Sequence, residues 1–191
     1  MNSKIAVLTP NSDQDFLSSR KCYTAPAVLS SFQKILLTNN GTITDLIEIY
    51  TGESIKVKKL SEKIIKLNNA LLPMQLDNNT KVLDRKILLQ GGVSGRNYIY
   101  AESSIVLERL DKQVRQDLLT TTKPIGKIWL ENKVGIFKEN LEIGRLPAQE
   151  LAPYFNIAPD ANLLFRTYCV VSNQKYTMMI TEKFPESYFI R

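Results

Sequence analysis

Val82–Gln90 reads VLDRKILLQ. It is followed by GGVSGR (91–96) and a second apolar run, NYIYAESSIVL (97–107). Strand side chains alternate between two faces. Leu83, Arg85, Ile87 and Leu89 therefore share the more apolar face, and Asp84 and Lys86 point the other way. The glycines between the two runs mark a hairpin turn, so 82–90 and 97–107 are expected as paired antiparallel strands. Arg85 is the anomaly. A cation on an inward face is costly unless it meets an anion, supplied by the protein or by a ligand.

The end of the chain repeats both features. Strands are expected near 161–171 and 175–184, turning at Ser172-Asn173-Gln174. In YTMMITEKF, Met178, Ile180, Glu182 and Phe184 share a face, so Glu182 points inward as Arg85 does. Two readings stand for this pair: an internal Arg85–Glu182 ion pair, or the two polar ends of an apolar cavity holding a small anion with a hydroxyl at its far end.

The rest supplies the frame. SIKVKKLSEKI (54–64) alternates like a strand, and 67–80 reads as loop or short helix. Helical spacing runs from Ala27 to Leu37. Thr42 is placed to cap a helix from Ile43 to Tyr50, which Gly52 ends. VLERLDKQVRQDLLTT (106–121) reads as helix, KPIGK (123–127) as a helix start, and LEIGRLPAQELAPYFN as a strand end followed by a short helix. Hairpin-joined strands outnumbering long helices give an α+β fold, one antiparallel sheet with helices on one face. The first-turn N–H groups at Ile43 and Ile125 lack helical partners and are natural carboxylate donors.

Composition narrows the function. The 191 residues suit one domain, with 1–25 a polar N-terminal segment and 26–191 the folded unit. No apolar run approaches the roughly 20 residues of a membrane span. With no histidine, His-dependent catalysis and His-rich zinc sites are excluded. Cys22 and Cys169 are too far apart in sequence to form a metal motif. The net charge of +6 raises nucleic-acid binding, but the basic residues are scattered, and Lys56, Lys58 and Lys59 read as a solvated strand edge. A mild positive excess also suits an anionic substrate.

The order of the pieces resembles the chorismate lyase family. They are Arg85-Lys-Ile-Leu-Leu, Pro124-Ile-Gly-Lys127, Leu141-Glu-Ile-Gly-Arg145 and Thr181-Glu-Lys-Phe184. The stretch SSFQKILLTNNGTITDLIEIYTGESIKV is similar to a divergent branch from archaea, cyanobacteria and plastid genomes. The resemblance covers roughly 26–186 and implies a sheet whose helices enclose a ligand cavity. It implies conversion of chorismate to 4-hydroxybenzoate and pyruvate without cofactor or metal. Arg85 would pair with the ring carboxylate, assisted by the backbone N–H groups of Ile43 and Ile125, and Glu182 would meet the ring hydroxyl. Ile43 and Ile125 replace the Met and Leu of the better-known bacterial branch, a change that backbone donors tolerate. Arg145 matches a family position, with contact to the enolpyruvyl carboxylate and a structural ion pair both open. The implied partner is a small molecule, with no nucleic acid and no membrane span, in cytosol or plastid stroma. The main rival is a non-catalytic binding module, since effector domains of some transcription regulators resemble this fold.

Overall fold

The computed structural model describes residues 29–190. The polar segment 1–25, Cys22 and the expected helix start at Ala27 and Val28 lie outside the described residues. Six strands, β1 (Ile55–Lys66), β2 (Lys81–Gly91), β3 (Asn97–Ile105), β4 (Phe137–Pro147), β5 (Asn162–Ser172) and β6 (Lys175–Pro185), form one sheet ordered β1-β2-β3-β6-β5-β4. Every neighbouring pair is antiparallel. Among the described strands, the β3–β6 pairing is the one that joins β1–β3 to β4–β6. The β5–β6 turn places Asn173 and Gln174 at φ 49° and 60°, the left-handed pair that suits the twist of a tight hairpin.

The helices are α1 (Ser31–Thr38), α2 (Ile43–Thr51), α3 (Lys112–Thr120), α4 (Ile125–Glu131) and α5 (Ala152–Phe155). Ser30 and Gln33 form a reciprocal capping box at the start of α1. Gly52, at φ 73°, ends α2. The helix expected from residue 106 starts later. The Val106 N–H donates to the Thr177 carbonyl at 2.9 Å, which prolongs the sheet ladder through that residue. A short 3-10 turn at 107–109 follows, Leu110 is extended, and α3 begins at Lys112. β4 begins at Phe137, ahead of the expected strand end, because a polar run, Lys138–Asn140, pairs with β5.

Helices α1 to α4 cover one face of the sheet, as expected. Leu36, Leu37, Ile43 and Ile47 pack on Leu89, Ala101, Leu164 and Phe184. Val114, Leu118, Ile128 and Trp129 pack on Leu83, Ile105, Val170 and Met178. The opposite face is also covered, by Ala152 and Phe155 of α5 against Leu88, Tyr100 and Leu163, and by Met74 and Leu76 against Val82 and Cys169.

Two β-bulges decide which charges face the helices. β1 shifts register between Lys59 and Ser61, and β4 between Asn140 and Glu142. Each bulge inserts one residue and reverses the alternation beyond it. Val57 faces the helices before the first bulge, and Glu62 does so after it, opposite Arg85. Lys138 faces them before the second bulge, and Ile143 and Arg145 after it.

Candidate active site

Between the sheet and the starts of α2 and α4 lies a cavity of about 580 Å³ of empty space, its mouth included. Ile87 and Leu89, Ala101 and Ser103, and Met178 and Ile180 form its floor; Thr42–Thr44, Pro124–Gly126 and Trp129 form its roof. Arg85, Lys138, Tyr168 and Glu182 supply the polar wall. The small residues of the central strand β3 make the room, because Ala101 lies in register between Ile87 and Glu182.

Arg85 is buried, with 3% exposure. Its Nε lies 3.1 Å from Oε2 of Glu62, its cross-strand neighbour. That contact is an ion pair without hydrogen-bond alignment, and the buried Nη2 has no partner at all. Burial is the main force lowering the Arg85 pKa, and Glu62 partly restores it. The protein thus neutralises one side of the guanidinium and leaves a buried donor unused on a residue that lines the cavity.

The internal Arg85–Glu182 pair does not form. Arg85 aligns with Ser103 on β3 and Ile180 on β6, whereas Glu182 aligns with Ala101 and Ile87. Two strand spacings and a two-residue offset separate the Cα atoms by roughly 12 Å, leaving width for a ring between the side chains. Glu182 instead accepts from Arg166 Nε at 2.6 Å on Oε2 and from the Tyr168 hydroxyl at 3.0 Å on Oε1. Burial and the adjacent carboxylate push the Tyr168 pKa far up, so its hydroxyl remains a donor. Arg166 is fully buried and braces the α1–α2 turn through Nη1 to the Asn39 carbonyl at 2.8 Å.

The two helix starts meet above the floor. Thr42 and Pro124 occupy the cap positions, but neither provides a side-chain cap. The first N–H groups, at Ile43 and Ile125, therefore have no partner within their helices. Gly126 is required here, because a Cβ would lie 2.4 Å from Thr42 Cγ2. Lys127 ties α4 to α2 through Glu48 at 2.6 Å. Within the Pro-Ile-Gly-Lys segment, Gly126 allows the contact and Lys127 holds it.

Of the residues expected at the site, Arg85, Ile43, Ile125 and Glu182 come together around the cavity. Arg145 does not line it, and its Nη2 pairs with Glu186 Oε1 at 2.5 Å. Four polar residues were missed: Arg166, Tyr168, Glu62 and Lys138. Arg166 carries the same signal as Arg85, an inward arginine in the alternation Leu164-Arg166-Tyr168-Val170. Glu62 and Lys138 lie beside bulges, where simple alternation fails. Lys138 is 6% exposed, and its Nζ donates to the Gly41 carbonyl at 2.6 Å. Burial brings its pKa down to about 8, opposed by Glu182 and reinforced by Arg166. Among the described residues, no cluster of three or more His, Cys, Asp or Glu side chains converges as a metal site. No helix among them is long and apolar enough to cross a membrane.

Fold and site together define an α+β protein with a cation-lined cavity between one antiparallel sheet and two helix starts. Residues 37–189 match the family described as chorismate pyruvate-lyase Rv2949c-like, and the chain belongs to that family of lyases. A chorismate pyruvate-lyase of Mycobacterium leprae is 28% identical over 158 residues, covering 82% of this chain and 75% of its own length. The Mycobacterium tuberculosis protein of the same name is 29% identical over 162 residues, covering 82% and 80%. Among solved structures, PhnF from Mycobacterium smegmatis superposes with a TM-score of 0.63 at 10% identity, over 78% of this chain and 65% of PhnF. Its effector domain gives 0.59 at 11% identity, over 76% and 88%. At such identities the likeness concerns the fold.

Proposed function

We propose that this protein is a cofactor-independent chorismate pyruvate-lyase that converts chorismate to 4-hydroxybenzoate and pyruvate. Membership in the lyase family supports the reaction. The observation that carries it to this site is Arg85, a buried arginine with an unpartnered Nη2, among the residues that line the cavity. Arg85 and the N–H groups of Ile43 and Ile125 hold the ring carboxylate. Glu182, fixed by Arg166 and Tyr168, receives the 4-hydroxyl at the other end.

The chemistry balances without an oxidant. The ether bond at ring carbon 3 breaks, the hydrogen on carbon 4 leaves as a proton, and the ring becomes aromatic. The side chain departs as the pyruvate enolate and takes up a proton at its methylene carbon. Aromatisation drives the reaction, so the protein contributes orientation and preorganised charge. Glu182 orients the hydroxyl-bearing carbon and assists proton movement there. A dry cavity shields 4-hydroxybenzoate from water, which makes product release slow.

The test is incubation with chorismate, with chromatography for both products. Equal amounts of 4-hydroxybenzoate and pyruvate are expected. Arg85→Ala should remove most turnover and weaken 4-hydroxybenzoate more than tenfold, the value of about one charged hydrogen bond. Unchanged product affinity in a folded Arg85→Ala protein would refute the carboxylate assignment. Glu182→Gln should lose turnover while remaining folded; full activity would leave Glu182 a structural residue. Product binding without turnover by the wild type would mark a binding module.

A further inference from the structure

We propose that Lys138 receives the second carboxylate of the substrate, on the enolpyruvyl side chain, and so makes the site selective for a dianion over the monoanionic aromatic product. The inference rests on the lyase reading and adds a residue that strand alternation left without a role.

Charge is the first argument. Two buried cations, Arg85 and Lys138, and one carboxylate, Glu182, line the cavity, with Arg166 paired to Glu182 and Glu62 paired to Arg85. Each carboxylate is in ion contact with an arginine. Lys138 is bonded to a neutral carbonyl, that of Gly41. An ammonium has three donors, so two remain for other acceptors. A buried ammonium without an anion is costly, and the pKa of about 8 reflects that cost. An incoming carboxylate would remove it.

Position is the second argument. Across the sheet the polar groups follow the order Arg85 on β2, Glu182 on β6, Tyr168 on β5 and Lys138 on β4. The Lys138 Nζ lies 4.9 Å from the centre of the Tyr168 ring, whose hydroxyl is bonded to Glu182. The ammonium is therefore at the Glu182 end, away from Arg85. In chorismate the enolpyruvyl ether is on the ring carbon adjacent to the one bearing the hydroxyl. With the ring carboxylate on Arg85 and the hydroxyl on Glu182, the side-chain carboxylate falls at the end where Lys138 waits. The product 4-hydroxybenzoate has no group for it.

The test compares two ligands on two variants. Lys138→Met should raise the KM for chorismate about tenfold or more. It should leave 4-hydroxybenzoate inhibition within about threefold of wild type, which also shows that the cavity has folded. Lys138→Arg, which keeps the charge, should restore most of the chorismate affinity. An unchanged chorismate KM in Lys138→Met would refute the inference alone. Equal weakening of substrate and product would make Lys138 a brace of the α1–α2 turn and refute it as well. Wild-type protein with no turnover would sink the lyase reading, and this inference with it.

Discussion

The two ends of the cavity answer the same problem differently. At the β2 end, Arg85 has one partner, Glu62, whose side chain is 20% exposed and shared with Lys59 at 3.0 Å. At the β5–β6 end, Arg166 and Glu182 are both buried, and the pair is completed by the Tyr168 hydroxyl and the Asn39 carbonyl. Both arginines sit inward in apolar strands, and both have an unpartnered Nη2. Only Arg85 lines the cavity. Arg166 holds Glu182 in place behind the cavity lining, whereas Arg85 is itself part of that lining. The inward arginine therefore reports a buried charge, and its surroundings decide whether that charge serves the fold or the substrate.

The comparison breaks most readily through stability. Arg166→Met should cost about 3–5 kcal/mol in denaturant unfolding, because Glu182 would remain buried without its cation. Arg85→Met should cost less, since Glu62 keeps Lys59 on its other oxygen and its side chain is 20% exposed. Equal losses would erase the distinction between the two ends.

Lys138→Met should act in the opposite direction and raise stability at pH 7 by about 2 kcal/mol. The displacement from 10.5 to about 8 corresponds to roughly 3 kcal/mol, less about 1 for the hydrogen bond lost to Gly41. A destabilised variant would identify Lys138 as a brace. The Lys138 contribution has a definite sign. Between pH 8 and 10.5 the unfolded chain holds the lysine proton and the folded chain releases it, so the wild-type protein gains stability as pH rises through that window. Lys138→Met should lose this gain.

A smaller effect is expected where the helix starts meet. Gly126→Ala pushes α4 away from Thr42 and should weaken 4-hydroxybenzoate binding several-fold, at about 1–2 kcal/mol of stability. Adding Thr42→Ser removes the clashing methyl and should recover much of both, which a double-mutant cycle would detect.

The mildest test is a pH profile. Lys138 is faced by Glu182 from β6, by Arg166 and Tyr168 from β5 and by the Gly41 carbonyl from the α1–α2 turn. Its protonated form binds the dianion, so kcat/KM for chorismate should fall above pH about 8. Inhibition by 4-hydroxybenzoate should not follow that decline.

Alternation and turn chemistry made much of the molecule legible. Strict period-2 patterning placed Arg85 and Glu182 inward, and the glycine-rich and Asn-Gln turns marked two hairpins. Gly52 marked the end of α2. These are local properties, set by a few neighbouring residues. The onset of α3 was misread because the Val106 N–H bonds Thr177, 71 positions away along the chain, and that long-range ladder overrides helical periodicity.

The sequence by itself determined that a cation and a carboxylate face the interior of an antiparallel sheet. It also marked two helix starts as available backbone donors. Tertiary structure alone decided which charge meets which. Strand order separated Arg85 from Glu182, and the bulges in β1 and β4 turned Glu62 and Lys138 toward the cavity. One inserted residue reverses every face beyond it, and the insertion is defined by pairing with another strand, so it leaves no trace in the strand's own alternation.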